Sequence, residues 1–344
     1  MKSLVNNYNG DVENRSDQFS LFDSLHNLQG ELTAGLSLYW ETAAGILEGS
    51  GVKLIEPELR YYSLEANFFT TIFLYSFYKA KIPSSRRVLY TAVNQCLRGM
   101  VTGCDNILDD EYKKTLDTDL PEQGTRFRSV LDIMVSDRVL FEILLNGSAS
   151  NEITYEQALA ASRASLTALT KSGVQEASEE GGIGHRIRPE EVLSSVHHYK
   201  TGMLFQCPWA VPKIIEDLGP EVIEPITDAL YRIGMGCQVM DDMVDLPRDL
   251  REKRHNYVAS LIYHGSDSQS HERLEEWARA DHSVGNGTDL LLEFPNAVQL
   301  ASETALDYLE KGASTLFTGS DRRIVQPTIS FLKRRLGADF FLTG

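Results

Sequence analysis

Two acidic clusters dominate the chain: Asp105-Asn106-Ile107-Leu108-Asp109-Asp110 and Gln238-Val239-Met240-Asp241-Asp242-Met243-Val244-Asp245. Each contains two acids four positions apart, Asp105/Asp109 and Asp241/Asp245. On a helix this spacing sets both carboxylates on one face. The stretches in front of them, 97–104 and 233–240, are largely apolar, so each cluster ends or interrupts a helix that is otherwise buried. Buried carboxylates are costly unless something pairs with them. Two facing oxygen-rich sites suit Mg²⁺, which takes one or two carboxylates together with substrate phosphates. A single acidic run also suits a solvated helix face. Two of them, each behind an apolar helical stretch, point to a Mg²⁺–diphosphate clamp held between two helices.

The elements that would position such a clamp are helical. Periodicity predicts helices over 21–47, 63–78, 85–109, 126–146, 154–180, 189–199, 202–217, 221–244, 257–263, 295–311 and 321–336. Loops are expected at 117–124, 181–188 and 265–289, the last as a solvated connection rather than a mobile flap. No alternating strand pattern is evident, nor any repeat or linker. The reading is all-α, a polar N-terminal tail over 1–20 followed by one domain over 21–344.

The 344 residues are 42% hydrophobic, enough for a sizeable core. A net charge of −16 argues against nucleic acid and anionic membrane surfaces as partners. It does not exclude an anionic substrate, because bound metal inverts the local field. Cys96, Cys104, Cys207 and Cys237 form no CxxC and lie in apolar stretches, which predicts reduced, buried thiols. With no signal-peptide core and no run of about 18 apolar residues, the expectation is a soluble, cytoplasmic protein without a membrane span.

Further motifs converge on one family. Gly234-Met-Gly-Cys-Gln238-Val-Met-Asp241-Asp242-Met-Val-Asp245 resembles the second aspartate-rich motif of the trans-isoprenyl diphosphate synthases, the polyprenyl synthetase family within the class I terpene synthase superfamily. Lys200-Thr201-Gly202 resembles the family's Lys-Thr-Gly/Ala segment, and Ser136-Asp137-Arg138-Val139-Leu140 its Gly-Asp-x-Leu-Leu segment. Gln175 resembles the glutamine of a Gly-Gln motif. Asp105-Asn106-x-x-Asp109 resembles the first Asp-Asp-x-x-Asp motif, with Asn in second place.

The resemblance implies an antiparallel helical bundle of the isoprenoid synthase type, with both Asp-rich helices at the mouth of a central cavity. It implies a homodimer, and three Mg²⁺ ions holding the diphosphate of an allylic substrate. Asp105 and Asp109 would hold two ions; Asp241 and Asp245 would hold the third, with Asp242 as a direct or supporting ligand. Asp110 and Asp249 are weaker candidates. Lys200, Thr201 and Gln238 would meet the diphosphate, with Lys114 in the place of the family's first arginine after motif one. Lys253 or Arg254 would close over the site. Leu97, Met100 and Val101, one or two turns before Asp105, would set chain length, with Phe69, Phe205 and Gln175 as further lining candidates. Lys333-Arg334-Arg335 reads as the basic end of a terminal helix.

The chain departs from the family at the pocket for isopentenyl diphosphate. Of its Gly-Lys-x-x-Arg motif only Arg60 remains, in Ile55-Glu56-Pro57-Glu58-Leu59-Arg60. The histidine position falls near Phe69, and Thr115 replaces the second arginine. Lys53, Arg86, Arg87 and Arg98 are the other cations available, none at the family spacing. Charge-assisted contacts supply most diphosphate affinity. The favoured expectation is therefore a terpene synthase that ionises a single allylic diphosphate of C15–C20 or longer. The alternatives are a chain-elongating prenyl diphosphate synthase and a non-catalytic subunit of a hetero-oligomeric one.

Overall fold

A computed structural model describes residues 21–109, 112–279 and 287–339. The principal helices are α1 (Gln29–Leu47), α2 (Phe68–Lys79), α3 (Ser84–Leu108), α4 (Thr125–Ala149) and α5 (Tyr155–Glu179). They are followed by α6 (Val192–Gly202), α7 (Pro220–Val244), α8 (Leu246–Glu252) and α9 (Tyr257–Tyr263). The last are α10 (Ser268–Arg279), α11 (Pro295–Leu316) and α12 (Val325–Arg335). Short helical turns join some of them. The only β pairing among the described residues is an isolated antiparallel bridge, Leu54 with Thr118. The all-α expectation holds.

Local signals explain the elements. α1 buries Leu32, Leu36, Tyr39 and Ala43, a helical spacing that leaves one apolar face. α5 starts in a capping box: Thr154 Oγ1 accepts from Gln157 N–H at 3.1 Å, and Gln157 Oε1 accepts from Thr154 N–H at 2.9 Å. α7 opens with Pro220 in its first turn, where a missing N–H costs nothing.

The helix that carries the second acid pair is deeply buried along its second half. α7 buries Ile233 through Met240 without interruption and packs against α11, α6 and the turn Leu204–Trp209. Close approach depends on Gly234: a Cβ there would lie 2.9 Å from the Thr201 carbonyl oxygen and 2.8 Å from the Phe205 ring. The glycine of the Gly-x-x-x-Gln motif thus lets α7 press against the segment bearing Lys200 and Thr201.

Three regions differ from the sequence expectation. The stretch 189–217 is not two ordinary helices. α6 is a π-type helix, with Met203 N–H bonding the His198 carbonyl at 2.8 Å, and it runs into a 3₁₀ turn containing Pro208. Wider π turns occur often at functional sites. The loop expected at 265–289 contains α10, anchored by buried Leu274 and half-buried Trp277, two apolar residues in an otherwise polar stretch. Cys104 is exposed, whereas Cys96, Cys207 and Cys237 are buried and free as expected. No helix among the described residues is long and apolar enough to cross a membrane. The tail at 1–20 and Asp110 lie outside the described residues.

Candidate active site

Asp105 stands in the last turn of α3 and Asp109 caps its end; Asp241 and Asp245 occupy the same places on α7. Asp109 N–H bonds the Asp105 carbonyl, and Asp245 N–H the Asp241 carbonyl, each at 2.8 Å. A helix C-terminus carries partial negative charge, so both pairs sit where carboxylates are least favoured. All four line one cavity of about 350 Å³. Burial, then Glu176 and Asp109, push Asp105 up to about 6. Burial, then Asp245 and Asp242, push Asp241 up to about 7. This is the electrostatic signature of anions assembled without sufficient countercharge.

The cations present are shared among these acids. Arg254 pairs with Asp109 at 3.0 Å and Glu176 at 3.5 Å. Arg248 bridges Asp109 at 3.5 Å and Asp245 at 3.4 Å, and Lys200 meets Glu176 at 3.2 Å. Burial alone would lower Lys200, but Glu176, Asp249 and Asp242 outweigh it and hold the ammonium protonated. Lys113 also lines the cavity.

Several side chains hold this mouth in place. Thr201 Oγ1 donates to Gln238 Oε1, and Gln238 Nε2 donates to Asp242 Oδ1 at 3.0 Å. Asp242 faces away from the cavity. Its Oδ2 meets His197 Nε2 at 2.9 Å and accepts from Tyr257 N–H, with both side chains of the His–Asp pair buried. Burial would raise Asp242, yet His197 and these donors hold it low. Its carboxylate is committed to internal partners, so Asp242 serves here as a strut between α7, α6 and α9. Asp249 is likewise buried and accepts from Asn256 Nδ2 at 2.8 Å.

The anomalous Asn106 has a local explanation. Its Oδ1 accepts from Lys113 N–H at 2.8 Å and its Nδ2 donates to the Lys113 carbonyl at 3.0 Å. The buried amide closes the loop after α3; an aspartate could make only the first bond.

The other expected residues divide. Lys200, Thr201 and Gln238 line the carboxylate cavity, as do Phe69 and Val101. Gln175 turns out, bonding Glu179 at 2.9 Å, and its neighbour Glu176 takes the inward position. Lys253 is exposed in a left-handed turn (φ 54°), and Arg254 faces inward. Lys114 pairs with Asp117 at 2.7 Å beside a separate side pocket. Met100 packs against the core, and Leu97 and Val101 line an adjoining apolar chamber. Arg60 and Lys53 are exposed and reach no described cavity. Glu176, Arg248 and Lys113 were not expected; the one available signal was Arg248 three residues beyond Asp245, on the same helical face.

Behind the mouth lies an apolar chamber of about 330 Å³, sharing Phe69, Val101, Asp105, Leu204 and Phe205 with it. Phe69 and Phe205 pack edge to face at 5.4 Å. The donor set fits a hard divalent cation: carboxylate oxygens only, carried on two facing helix ends. No three acidic, His or Cys side chains among the described residues form a ready-made cage. Asp105 and Asp109 on one side and Asp241 and Asp245 on the other are the residues that would hold such ions.

Two outcomes follow. Asn106→Asp removes the donor to the Lys113 carbonyl and buries a charge, and should cost about 1–3 kcal/mol in denaturant unfolding; an unchanged midpoint would refute that role. Asp105 and Asp241 are raised above their unfolded values, so the native chain retains protons that the unfolded chain has released. The metal-free fold therefore loses stability at these groups as pH rises from about 4 through about 7. Mg²⁺ competes with those protons. Its stabilising shift in melting temperature, measured with inorganic pyrophosphate, should be small at pH 5.5 and grow toward pH 8. A shift that ignored pH would exclude these two carboxylates as ligands.

No protein-family model matches the chain, and no curated protein matches its sequence. Solved structures do resemble it. A geranylgeranyl pyrophosphate synthetase from Pyrococcus horikoshii aligns over 96% of this chain and 99% of its own, at 16% identity and a TM-score of 0.58. A geranylgeranyl pyrophosphate synthase from Lactobacillus brevis aligns over 91% and 99%, at 15% identity and a TM-score of 0.63. A polyprenyl synthase from Caulobacter crescentus, complexed with calcium and isoprenyl diphosphate, aligns over 95% and 98%, at 13% identity and a TM-score of 0.59. The chain carries the all-α fold of the trans-isoprenyl diphosphate synthases.

Proposed function

We propose that this protein is a Mg²⁺-dependent class I enzyme that ionises a trans allylic prenyl diphosphate. One observation carries the reading: a mouth lined by Asp105, Asp109, Asp241, Asp245, Glu176 and Lys200 opens into an apolar chamber through shared walls. That is the shape of a molecule with an anionic head and a hydrocarbon tail. The solved structure bound to calcium and isoprenyl diphosphate has the same fold and supports the assignment of both ligands.

Bound at the aspartates, Mg²⁺ would offset the charge that gathers on departing pyrophosphate. Lys200 is held protonated at the same place and acts as a fixed positive charge. Arg248 and Arg254 neutralise Asp109 and Asp245 in the metal-free chain. Both arginines line the same cavity and would face the diphosphate beside the metal-binding acids. The chamber walls Phe69, Phe73 and Phe205 would shield the allylic cation from water.

For the fate of that cation, the leading reading is a terpene synthase that lets it cyclise or be quenched. It is supported by Arg60 and Lys53, which lie on the surface and contribute nothing to a second diphosphate pocket. Chain elongation is the second reading, favoured by the names of the similar structures. A non-catalytic subunit has no use for so many costly carboxylates. We further propose a homodimer. α4 presents exposed Phe127, Val130, Met134 and Phe141 at helical spacing on one face, and α5 presents Leu166 and Val174.

Purified protein with Mg²⁺ and geranyl, farnesyl or geranylgeranyl diphosphate, each with and without isopentenyl diphosphate, tests the reading. Hydrocarbon or terpene alcohol from one allylic substrate establishes a terpene synthase; longer diphosphates only with isopentenyl diphosphate establish elongation. Asp241→Ala should lower turnover by about 10²-fold or more, and retained activity would remove the aspartates from the mechanism. Met134→Glu with Phe141→Glu should convert a dimer to a monomer by light scattering, and a monomeric parent would end the dimer proposal.

A further inference from the structure

One wall of the hydrocarbon-lined chamber carries two polar groups with nothing to bond. Thr70 on α2 and Asn94 on α3 both line it and are 3% and 5% exposed. Among the described residues neither side chain has a hydrogen-bond partner. Asn67, which lines the same chamber, has its amide engaged at both ends. It donates to the Tyr61 and Ser63 carbonyls at 2.5 and 3.0 Å and accepts from Arg98 at 3.1 Å. Buried polar side chains nearly always find a partner, in the protein or in ordered water. Two that lack one, on one wall of one cavity, point to a ligand that supplies it.

The two groups share one level of the wall. α2 and α3 run antiparallel: Asn67 meets Arg98 at one point of the contact, and the Phe77 and Tyr90 rings pack at 5.5 Å at another. Thr70 and Asn94 fall between those meeting points on their respective helices. On α3, Asn94, Leu97, Val101 and Asp105 form a single stripe on the chamber side. Asn94 stands eleven residues before Asp105, about 16 Å along the helix at about 1.5 Å per residue. A prenyl chain whose diphosphate is held at the aspartates would bring its far end, not C1, to this level.

We propose that Asn94 and Thr70 hold one water molecule in the chamber, and that this water is the nucleophile that ends the reaction. The proposal rests on the mouth being an allylic-diphosphate-ionising centre, and it names the product class, a cyclic tertiary alcohol. A buried water needs at least two polar partners. One that donates to Asn94 Oδ1 and Thr70 Oγ1 has them, and its lone pairs then face the substrate. Ionisation breaks the C1–O bond, and pyrophosphate leaves with the electron pair. The π pair of a remote double bond closes a ring onto C1, which leaves a tertiary cation at the far end of the chain. The water's lone pair forms the new C–O bond there. The oxonium proton passes to a second water, which enters along the wall where Arg98 and Arg335 are exposed to solvent. An amide is too weak a base to take that proton. Asn94 acts by placing the oxygen and by turning the negative end of its dipole toward the cation.

A crystal structure of the metal-free full chain reads the site without turnover. Water within hydrogen-bonding distance of both Asn94 and Thr70 is expected, and its loss in Asn94→Leu; a chamber without water at that position in the unmodified protein would overturn the site. Product analysis reads the role. With Mg²⁺ and farnesyl or geranylgeranyl diphosphate in H₂¹⁸O, the unmodified protein should release a cyclic alcohol that carries one ¹⁸O. The ratio of alcohol to hydrocarbon should fall tenfold or more in Asn94→Leu and in Thr70→Val, and Thr70→Ser should keep the original ratio. Hydrocarbon alone, an acyclic alcohol, longer diphosphates, or a ratio unchanged in both apolar variants would overturn the nucleophile. Pyrophosphate release is followed separately in the same reactions. If no allylic diphosphate releases it, the ionisation reading fails and takes the nucleophile with it, while the crystal structure still decides whether the site holds water.

Discussion

The structure turns on the cost of gathering carboxylates at the C-terminal ends of two largely buried helices. Asp105 and Asp109 on α3 and Asp241 and Asp245 on α7 oppose the helix dipoles, one another and their own burial. The metal-free chain meets that cost with Arg248, Arg254 and Lys200, divided among Asp109, Asp245 and Glu176. Asp105 and Asp241 are raised by burial first and by neighbouring acids next, and the nearby cations Lys113, Lys200 and Arg248 offset this only in part. A site this unbalanced is poised for divalent cations and a ligand that brings its own oxygens.

Holding the imbalance needs a stiff frame. Gly234 lets α7 approach the carbonyl of Thr201. Gln238 reaches across to Thr201 and back to Asp242, which His197 and Tyr257 fix from two other elements. Ser172 Oγ donates to the Lys200 carbonyl at 2.8 Å, binding α5 to the end of the π-type helix. Lys200 is thereby held at its carbonyl by Ser172 and at its ammonium by Glu176. In the motif Gly-x-x-x-Gln-x-x-Asp-Asp-x-x-Asp, Asp241 and Asp245 face the cavity, Gly234 and Asp242 keep them there, and Gln238 does both, lining the cavity and bonding Asp242.

The chamber's chemistry changes along its length. At the mouth it is anionic; past Val101, Leu204 and Phe205 it is apolar, and the exposed Arg98 and Arg335 also line its wall. Such a sequence of environments orders a ligand end to end, since each part of an amphiphile has one favourable place.

The chain's own residues determined the helices, the i,i+4 acid pairs and the Lys200-Thr201 segment, because these depend on local spacing alone. Which cations face the acids was decided by tertiary structure. A helix turns about 100° per residue, so a one-position error in phase exchanges inside for outside: Glu176 faces in and Gln175 does not. Likewise the loops after each Asp motif chose Lys113 over Lys114 and Arg254 over Lys253, through the Asn106 clasp and the left-handed turn at Lys253. The meeting of Arg98 with Arg335 joins residues on the third and the last helix. No spacing rule spans that distance; only the packing of α12 over the chamber brings the two charges together.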